Sequence, residues 1–367
     1  MKIVTVLGAR PQFIKAAPVS KAFRLAGIEE VLVHTGQHYD ANMSDIFFEE
    51  LDLPKPGYAL AVGSGSRPFQ MAEGLRRLEP VLAAEKPDIV LVYGDTNATL
   101  VGAFVADTFQ IPIAHVEAGL RSFNRAMPEE TNRILTDQLA TWCLAPTPTA
   151  MRHLSHDGLA QRAYLVGDVM LDALLQFEAK ARETFPDFWE RLGLQQKGYW
   201  LLTMHRAETT ASPEQAIALL RLMDAQDVPI VFPVHPRTRA LVESAGPFRN
   251  IRCIDPLGYL EMILAECGAA QILTDSGGVQ KEAAMLGVPC ITLRTETEWT
   301  ETVDMGMNTI VGLSPEALAA ALHQRPGHWD LNAIRQFFGN GQASKAIVSI
   351  LQGQAISSPT AAESLSV

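Results

Sequence analysis

The stretch ILTDSGGVQKEAAMLGVP (272–289) passes from an apolar run ending at Thr274, through Asp275-Ser276-Gly277-Gly278, into a helical segment and on to a second apolar run, Pro289–Leu293. Strands that alternate with helices in this way imply parallel sheets covered on both faces. The turn itself has chemistry. Gly277 and Gly278 let the backbone come close to a phosphate at a helix N-terminus, and Ser276 adds a hydroxyl donor. Glu282, one turn in, is placed to accept hydrogen bonds from ribose hydroxyls. Standing alone, the motif reads equally as a Gly-rich helix start with an acid that complements the helix dipole.

The same alternation extends in both directions. Short strands at Ile3–Leu7, Val31–Thr35, Ile89–Val92 and Ile111–His115 alternate with segments of helical period. Met71, Leu75, Leu78 and Leu82 fall on one helical face, and Gly27 stops a helix before the next strand. A second series begins near Tyr199, with strands at Trp200–Met204, Ile230–Pro233, Ile251–Ile254, Ala270–Thr274 and Pro289–Leu293. Ala179–Lys197, charged and aromatic, has no clear strand and marks the expected boundary between domains 1–178 and 198–340. Ser344–Gln352 is periodic and predicts a last helix within 341–352. The Ser-, Ala- and Pro-rich tail 353–367 is expected to be disordered. The fold class is therefore α/β with two doubly wound domains, and the ligand is expected in a cleft between them, at carboxyl ends of strands.

Composition narrows the function. The 367 residues are 47% hydrophobic and 19% charged, with a formal charge of −11. That balance fits a packed enzyme and argues against a general nucleic-acid or anionic-membrane surface, which needs a basic face. The four cysteines (Cys143, Cys253, Cys267, Cys290) have no CxxC spacing and read as small apolar residues. There is no signal-peptide pattern at the N-terminus and no uncharged apolar run of ~20 residues, so a cytoplasmic protein is expected.

Chemistry-bearing residues recur just past strand ends. GARPQFIK offers Gly8 for a tight turn, with Arg10 and Lys15 as cations for a diphosphate. YGDTNAT places Asp95, and HVEAGLRS places Glu117, after successive strands. PEETNR then puts Glu129 and Glu130 in a first helical turn. Each acid has a structural reading, Asp95 as an N-cap and the glutamates as dipole complements. Several titratable groups around one point suit acid/base chemistry better. TMHRAET brings His205 past a strand, and VHPRTR brings His235, Arg237 and Arg239 past the next. Neither histidine has metal-ligand spacing, so no zinc site is predicted. The first turn lacks GxGxxG, so no nicotinamide is implied and no cofactor is expected.

At these residues the sequence resembles the non-hydrolysing UDP-N-acetylglucosamine 2-epimerases. GARPQFIKAAP, YGDTNAT, HVEAGLRS, MPEETNRILTD, TMHRAE and TDSGGVQKEA occur in the family's order, and the resemblance runs from residue 8 to about residue 312. HTGQHYDANMSDIFFEEL, IDPLGYLEMI and TEWTETV resemble a branch that includes epimerases of UDP-2,3-diacetamido-2,3-dideoxyglucuronic acid. The resemblance implies a GT-B fold, a C-terminal helix crossing back to the first domain, and a homodimer. It implies catalytic roles for Asp95, Glu117, Glu129 and His205. It implies binding roles for Arg10, Lys15, Ser276, Gly277 and Glu282, beside which Gly278, His235 and Arg294 are further candidates. Where many bacterial members carry a Gln-His-Arg-Glu-Met-type segment for an activating second substrate, this chain has Gln37, His38, Tyr39, Asp40 and Ala41.

The implied reaction is the interconversion of UDP-GlcNAc and UDP-ManNAc. Expelling UDP from carbon 1 acidifies the C–H at carbon 2, elimination gives a 2-acetamidoglucal, and UDP adds back after protonation of the other face. Alternatives at this stage are the diacetamido-glucuronate epimerase, for which Arg121, Arg125 or Arg294 would face the extra carboxylate, a hydrolysing epimerase, a GT-B glycosyltransferase, and a non-catalytic UDP-sugar sensor.

Overall fold

The computed structural model describes residues 1–354 except 37–47, 49, 207, 208, 210, 325, 326 and 328. The segment at Gln37, His38, Tyr39, Asp40 and Ala41 and the tail beyond residue 354 lie outside the described residues.

Two parallel sheets account for the strands. In the first, β1 (Lys2–Leu7), β2 (Glu29–His34), β3 (Tyr58–Ala59), β4 (Ile89–Tyr93), β5 (Ile113–Val116), β6 (Trp142–Ala145) and β7 (Ala163–Leu165) are ordered β3-β2-β1-β4-β5-β6-β7. In the second, β8 (Trp200–Thr203), β9 (Ile230–Pro233), β10 (Ile251–Ile254), β11 (Gln271–Thr274), β12 (Cys290–Thr292) and β13 (Asn308–Ile310) are ordered β10-β9-β8-β11-β12-β13. Strands buried on both faces carry unbroken apolar runs, as in IVLVY of β4, which is wholly buried. The expected strand at Ile111 starts instead at Ile113. Pro112 has no N–H to give to a ladder and only its carbonyl pairs, with the Val90 amide.

Each sheet reverses its winding once, between β1 and β4 in the first and between β8 and β11 in the second. These are the switch points at which an open α/β sheet leaves a crevice beyond its strand ends. The loops that follow those four strands are the four motifs containing Arg10, Asp95, His205 and Ser276.

The helix Arg67–Glu85 buries Leu78 and Leu82, while Met71 and Leu75 are half-buried. Its Gly74 lies so close to the helix Asn97–Thr108 that an added Cβ would sit 3.0 Å from Val101. Gly27, with φ +68°, takes the left-handed turn that leads into β2.

The chain divides into two compact units, Met1–Gly119 with Thr131–Asp172 and Gly339–Val367, and Leu120–Glu130 with Ala173–Phe338. The division falls before the charged segment 179–197, because that segment continues the helix Val169–Thr184 and the short helix Phe188–Arg191 into the second unit. The helix Ala343–Leu351 packs in the first unit against the helix Arg10–Leu25. Asp172, buried, caps that C-terminal helix by accepting from the Ala343 and Ser344 amides at 3.1 and 2.8 Å. Of the cysteines, all free, Cys143 and Cys290 are buried, Cys267 is half-buried and Cys253 is exposed, so Cys253 is not the small core residue its apolar strand suggested.

Candidate active site

In the first unit, the carboxylates of Asp95 and Glu117 follow neighbouring strands, β4 and β5. Asp95 is held by Arg133, whose Nη2 and Nε donate to Oδ2 at 2.5 and 3.2 Å. Asn132 donates to the Asp95 carbonyl at 2.9 Å and is itself held by Arg67 at 2.7 Å. Asp95 is not the N-cap of the following helix. Thr96 caps it, with Oγ1 accepting from the Thr99 amide. The Asp95 side chain is thereby released from a capping duty and kept part-exposed beside a buried arginine.

Glu117 is 7% exposed and its carboxylate is ion-paired with Lys15. Its backbone sits at φ +69°, a left-handed conformation that costs a non-glycine residue about 1–3 kcal/mol and clusters at functional sites. The Glu117 amide is fixed to the Leu144 carbonyl at 3.1 Å. Gly94, also left-handed, is needed here: a Cβ on it would stand 3.2 Å from Glu117 Oε2 and 3.6 Å from Lys15 Nζ. Below the pair, the wholly buried His115 lies between Asp137 (2.7 Å to Nδ1) and the Gly94 carbonyl (2.7 Å to Nε2). Asp137 also accepts from the Gly119 amide. His115 and Asp137 thus tie the Asp95 loop to the Glu117 loop.

Arg10 opens its helix and is exposed. In the turn before it, the Gly8 and Ala9 amides both donate to Gln12 Oε1, at 2.7 and 3.1 Å. Glu129 and Glu130 part company. Glu129 is exposed, whereas Glu130 is buried and accepts from the Ser122 amide and hydroxyl at 2.9 Å each and from the Phe123 amide at 3.0 Å. Glu130 is thus the clamp of the loop in front of its helix. That loop belongs with the second unit, where Asn124 Nδ2 donates to Glu296 at 2.9 Å. Glu129 therefore groups with the second unit.

In the second unit, Ser276 is the N-cap of the helix Gly277–Leu286 but its side chain does not cap it. Arginines face this helix start. A Cβ on Gly277 would lie 3.6 Å from Arg294 Nη1, 3.8 Å from Glu298 Oε2 and 3.9 Å from Arg206 Nη2. Arg294 in turn is held by Glu298 through two hydrogen bonds of 3.1 and 3.0 Å. Glu282 is buried with its Oε2 toward Gly278, as a helical side chain that leans N-terminally should be, and Tyr259 donates to its Oε1 at 3.4 Å.

Asp275, fully buried, is the residue that sequence reasoning passed over. Its carboxylate accepts from the His205 amide (2.9 Å), the Arg206 amide (2.8 Å) and the Thr209 hydroxyl (2.9 Å), and lies 3.4 Å from His205 Nδ1. The His205 and His235 rings are 5.8 Å apart. His235 Nδ1 accepts from the Arg237 amide, which leaves its proton on Nε2. Burial moves the His205 pKa below its ordinary 6.5; Asp275 opposes this, and Arg206 and Arg237 add to it. A cavity of about 710 Å³ borders the ends of β9 and β10, with Val234, Ile254, Pro256 and Leu257 in its wall, and of the strand-end residues singled out in the sequence it is lined by Arg239.

Two parallel doubly wound units, with titratable groups past the strand ends of one and a cationic helix start in the other, define an α/β protein of the GT-B class. Residues 21–352 match the family model described as UDP-N-acetylglucosamine 2-epimerase, and the chain belongs to that isomerase family. A UDP-N-acetylglucosamine 2-epimerase homolog of Methanococcus maripaludis is 48% identical over 96% of this chain and 99% of its own length. The UDP-2,3-diacetamido-2,3-dideoxy-D-glucuronate 2-epimerase of Pseudomonas aeruginosa is 46% identical over the same shares. Among solved structures, the UDP-GlcNAc 2-epimerase of Methanocaldococcus jannaschii, in complex with UDP-GlcNAc and UDP, superposes with a TM-score of 0.87 at 41% identity, covering 96% of this chain and all of that one.

Proposed function

We propose that the protein is a non-hydrolysing UDP-N-acetylglucosamine 2-epimerase, inverting carbon 2 through elimination of UDP to a 2-acetamidoglucal and its re-addition. The observation that carries the reading is the pairing of two carboxylates with two cations at adjacent strand ends, Asp95 with the buried Arg133 and Glu117 with the half-buried Lys15. Proton removal and return at one carbon needs two acid/base groups whose positions do not drift, and these pairs fix both. Glu129, exposed at its helix start, is a third proton-transfer candidate.

The Gly277 helix start, with Arg206 and Arg294 beside it, suits the diphosphate, including the detached UDP of the intermediate. Glu282 suits the ribose. His205, kept neutral by burial, would donate to the leaving phosphate oxygen as a hydrogen-bonding group whose charge rises when the dianion arrives. Ser276, Gly278, His235, Arg10 and Lys15 complete the proposed binding set.

The diacetamido-glucuronate nucleotide is the second reading, favoured by the 46% identical relative. Of its three cations, Arg294 is engaged by Glu298 and Arg121 is buried with Nη1 on the Leu120 carbonyl, whereas Arg125 is exposed. That reading therefore places the sugar carboxylate at Arg125. We further read the enzyme as a cytoplasmic homodimer. Its support is the family resemblance and large apolar side chains left exposed in the first unit, Phe69, Phe104, Phe109 and Leu135. Among the described residues, no helix is long and apolar enough to cross a membrane.

Proton NMR of UDP-N-acetylglucosamine with the enzyme in heavy water tests the reading. An epimerase places deuterium at carbon 2 and yields the manno epimer without an acceptor. A glycosyltransferase or a sensor does neither, and either result would end the proposal. Release of free sugar and UDP would make the enzyme a hydrolysing one. Comparing turnover on the two UDP-sugars decides the substrate.

A further inference from the structure

Gln12 has no assigned part in the chemistry above, yet it is the most connected side chain at the first sheet's switch point. It is 2% exposed. Its Oε1 accepts the Gly8 and Ala9 amides, which belong to the loop after β1 that delivers Arg10. Its Nε2 donates to the Tyr93 carbonyl at 2.7 Å and contacts the Thr96 and Thr99 hydroxyls at 3.0 Å each, in the loop after β4 that delivers Asp95. The network leaves no freedom in the amide's orientation, because the two amide N–H groups require an oxygen and the Tyr93 carbonyl requires an N–H. One planar group therefore joins the loops on both sides of the crevice, with an acceptor toward one and a donor toward the other.

The geometry points to Gln12 as a positioning residue of the active site, one that sets the cation Arg10 and the acid/base group Asp95 at a fixed separation without touching substrate. This rests on the epimerase reading. A displacement of about 1 Å in groups that must meet a reacting centre costs up to ~10²-fold in rate. Most of the proposed nucleotide-binding set belongs to the second unit, and of its first-unit members only Arg10 sits on a loop that Gln12 holds. Loss of Gln12 should therefore lower kcat far more than it raises KM.

The test compares parent, Gln12→Met, Gln12→Asn and Gln12→Glu by steady-state epimerisation and by deuterium entry at carbon 2, with each variant's fold checked by circular dichroism and melting. Methionine matches the length but removes both donor and acceptor. Asparagine keeps the amide but is too short to bridge. Glutamate keeps the length and the acceptor. The expected result is a ~10- to 100-fold fall in kcat for Gln12→Met, with KM within about threefold, and a higher kcat for Gln12→Glu. If Gln12→Met does not fold, Gln12→Asn is read in the same way.

A folded Gln12→Met or Gln12→Asn with kcat within about twofold of the parent overturns the proposal, as does a loss confined to KM or a Gln12→Glu no better than Gln12→Met. So does a chain that folds only with Gln or Glu at position 12 and then works at the parental rate, since that makes the amide purely structural. If the parent itself shows neither turnover nor exchange, the epimerase reading fails first, and the two failures are thereby distinct.

Discussion

The two switch points are built alike and finished differently. In each unit a buried side chain crosses from one strand-end loop to the other: Gln12 between the loops after β1 and β4, and Asp275 between the loops after β8 and β11. In the first unit the bridge is a neutral amide, and the charges around it are opposite pairs, Asp95–Arg133 and Glu117–Lys15. In the second the bridge is a carboxylate that spends its lone pairs on backbone amides, and it sits beneath a helix start faced by arginines. A neutral bridge leaves acids free to exchange protons. An anionic bridge organises backbone donors at the strand ends, and Arg206 and Arg294 stand beside the helix start as cations for a detached diphosphate. On the proposed function, the first unit supplies most of the chemistry and the second most of the holding.

The sharpest way to break this contrast is Glu117→Gln. Turnover and carbon 2 exchange should fall by at least ~10²-fold, while UDP affinity by calorimetry stays within about threefold. Loss of affinity in place of turnover would move Glu117 into the holding half. Next in size is Asp275→Asn, which turns an amide group toward the His205 and Arg206 N–H groups. An unsatisfied buried donor costs about 1–3 kcal/mol, so UDP binding should weaken by roughly tenfold or more; unchanged affinity would remove Asp275 from the holding role.

Gly277→Ala should act more gently. Its backbone is not left-handed and the new methyl meets nothing closer than 3.6 Å, so the melting temperature should hold. The methyl would nonetheless occupy the approach to the helix start, and the Kd for UDP should rise by about three- to tenfold. Equal affinity would show that the phosphates lie elsewhere.

The smallest effect concerns pH. Because the folded His205 pKa lies below its ordinary 6.5, the unfolded chain takes up that proton first. The stability contributed by neutral His205 is fully present above pH 6.5 and declines as the pH falls below it toward the folded value. Denaturant titrations should show His205→Asn losing less stability than the parent on acidification from pH 6.5. A parallel decline in both proteins would remove His205 from the acid response.

The alternation of strand and helix was legible because buried parallel strands must be apolar throughout and helices must not. The two-residue β3 and the three-residue β7 and β13 leave no such run, and only their pairing defines them. The strand-end motifs located the candidate site, but not its wiring. Gln12 reaches Tyr93, Asp95 meets Arg133, Lys15 meets Glu117 and Asp275 meets His205 across 38 to 102 residues of sequence. No local spacing announces such pairs. The neighbouring Glu129 and Glu130 look interchangeable in sequence, and only the left-handed Phe123 and the turn at Ser122 decide which of them is drawn inward.

The cap that Asp172 places on the helix Ala343–Leu351 bears on biosynthesis. The first unit precedes the second along the chain, yet one of its helices is translated only after the whole of the second unit. A ribosome that has released the whole of both sheets still holds back the piece that covers the helix Arg10–Leu25. The half of the molecule that emerges first must wait until the other half has been translated before its surface is closed, whereas the second unit has all its parts by Phe338. A nonsense mutation between residues 339 and 343 would therefore damage the amino-terminal lobe and leave the lobe nearer the stop intact.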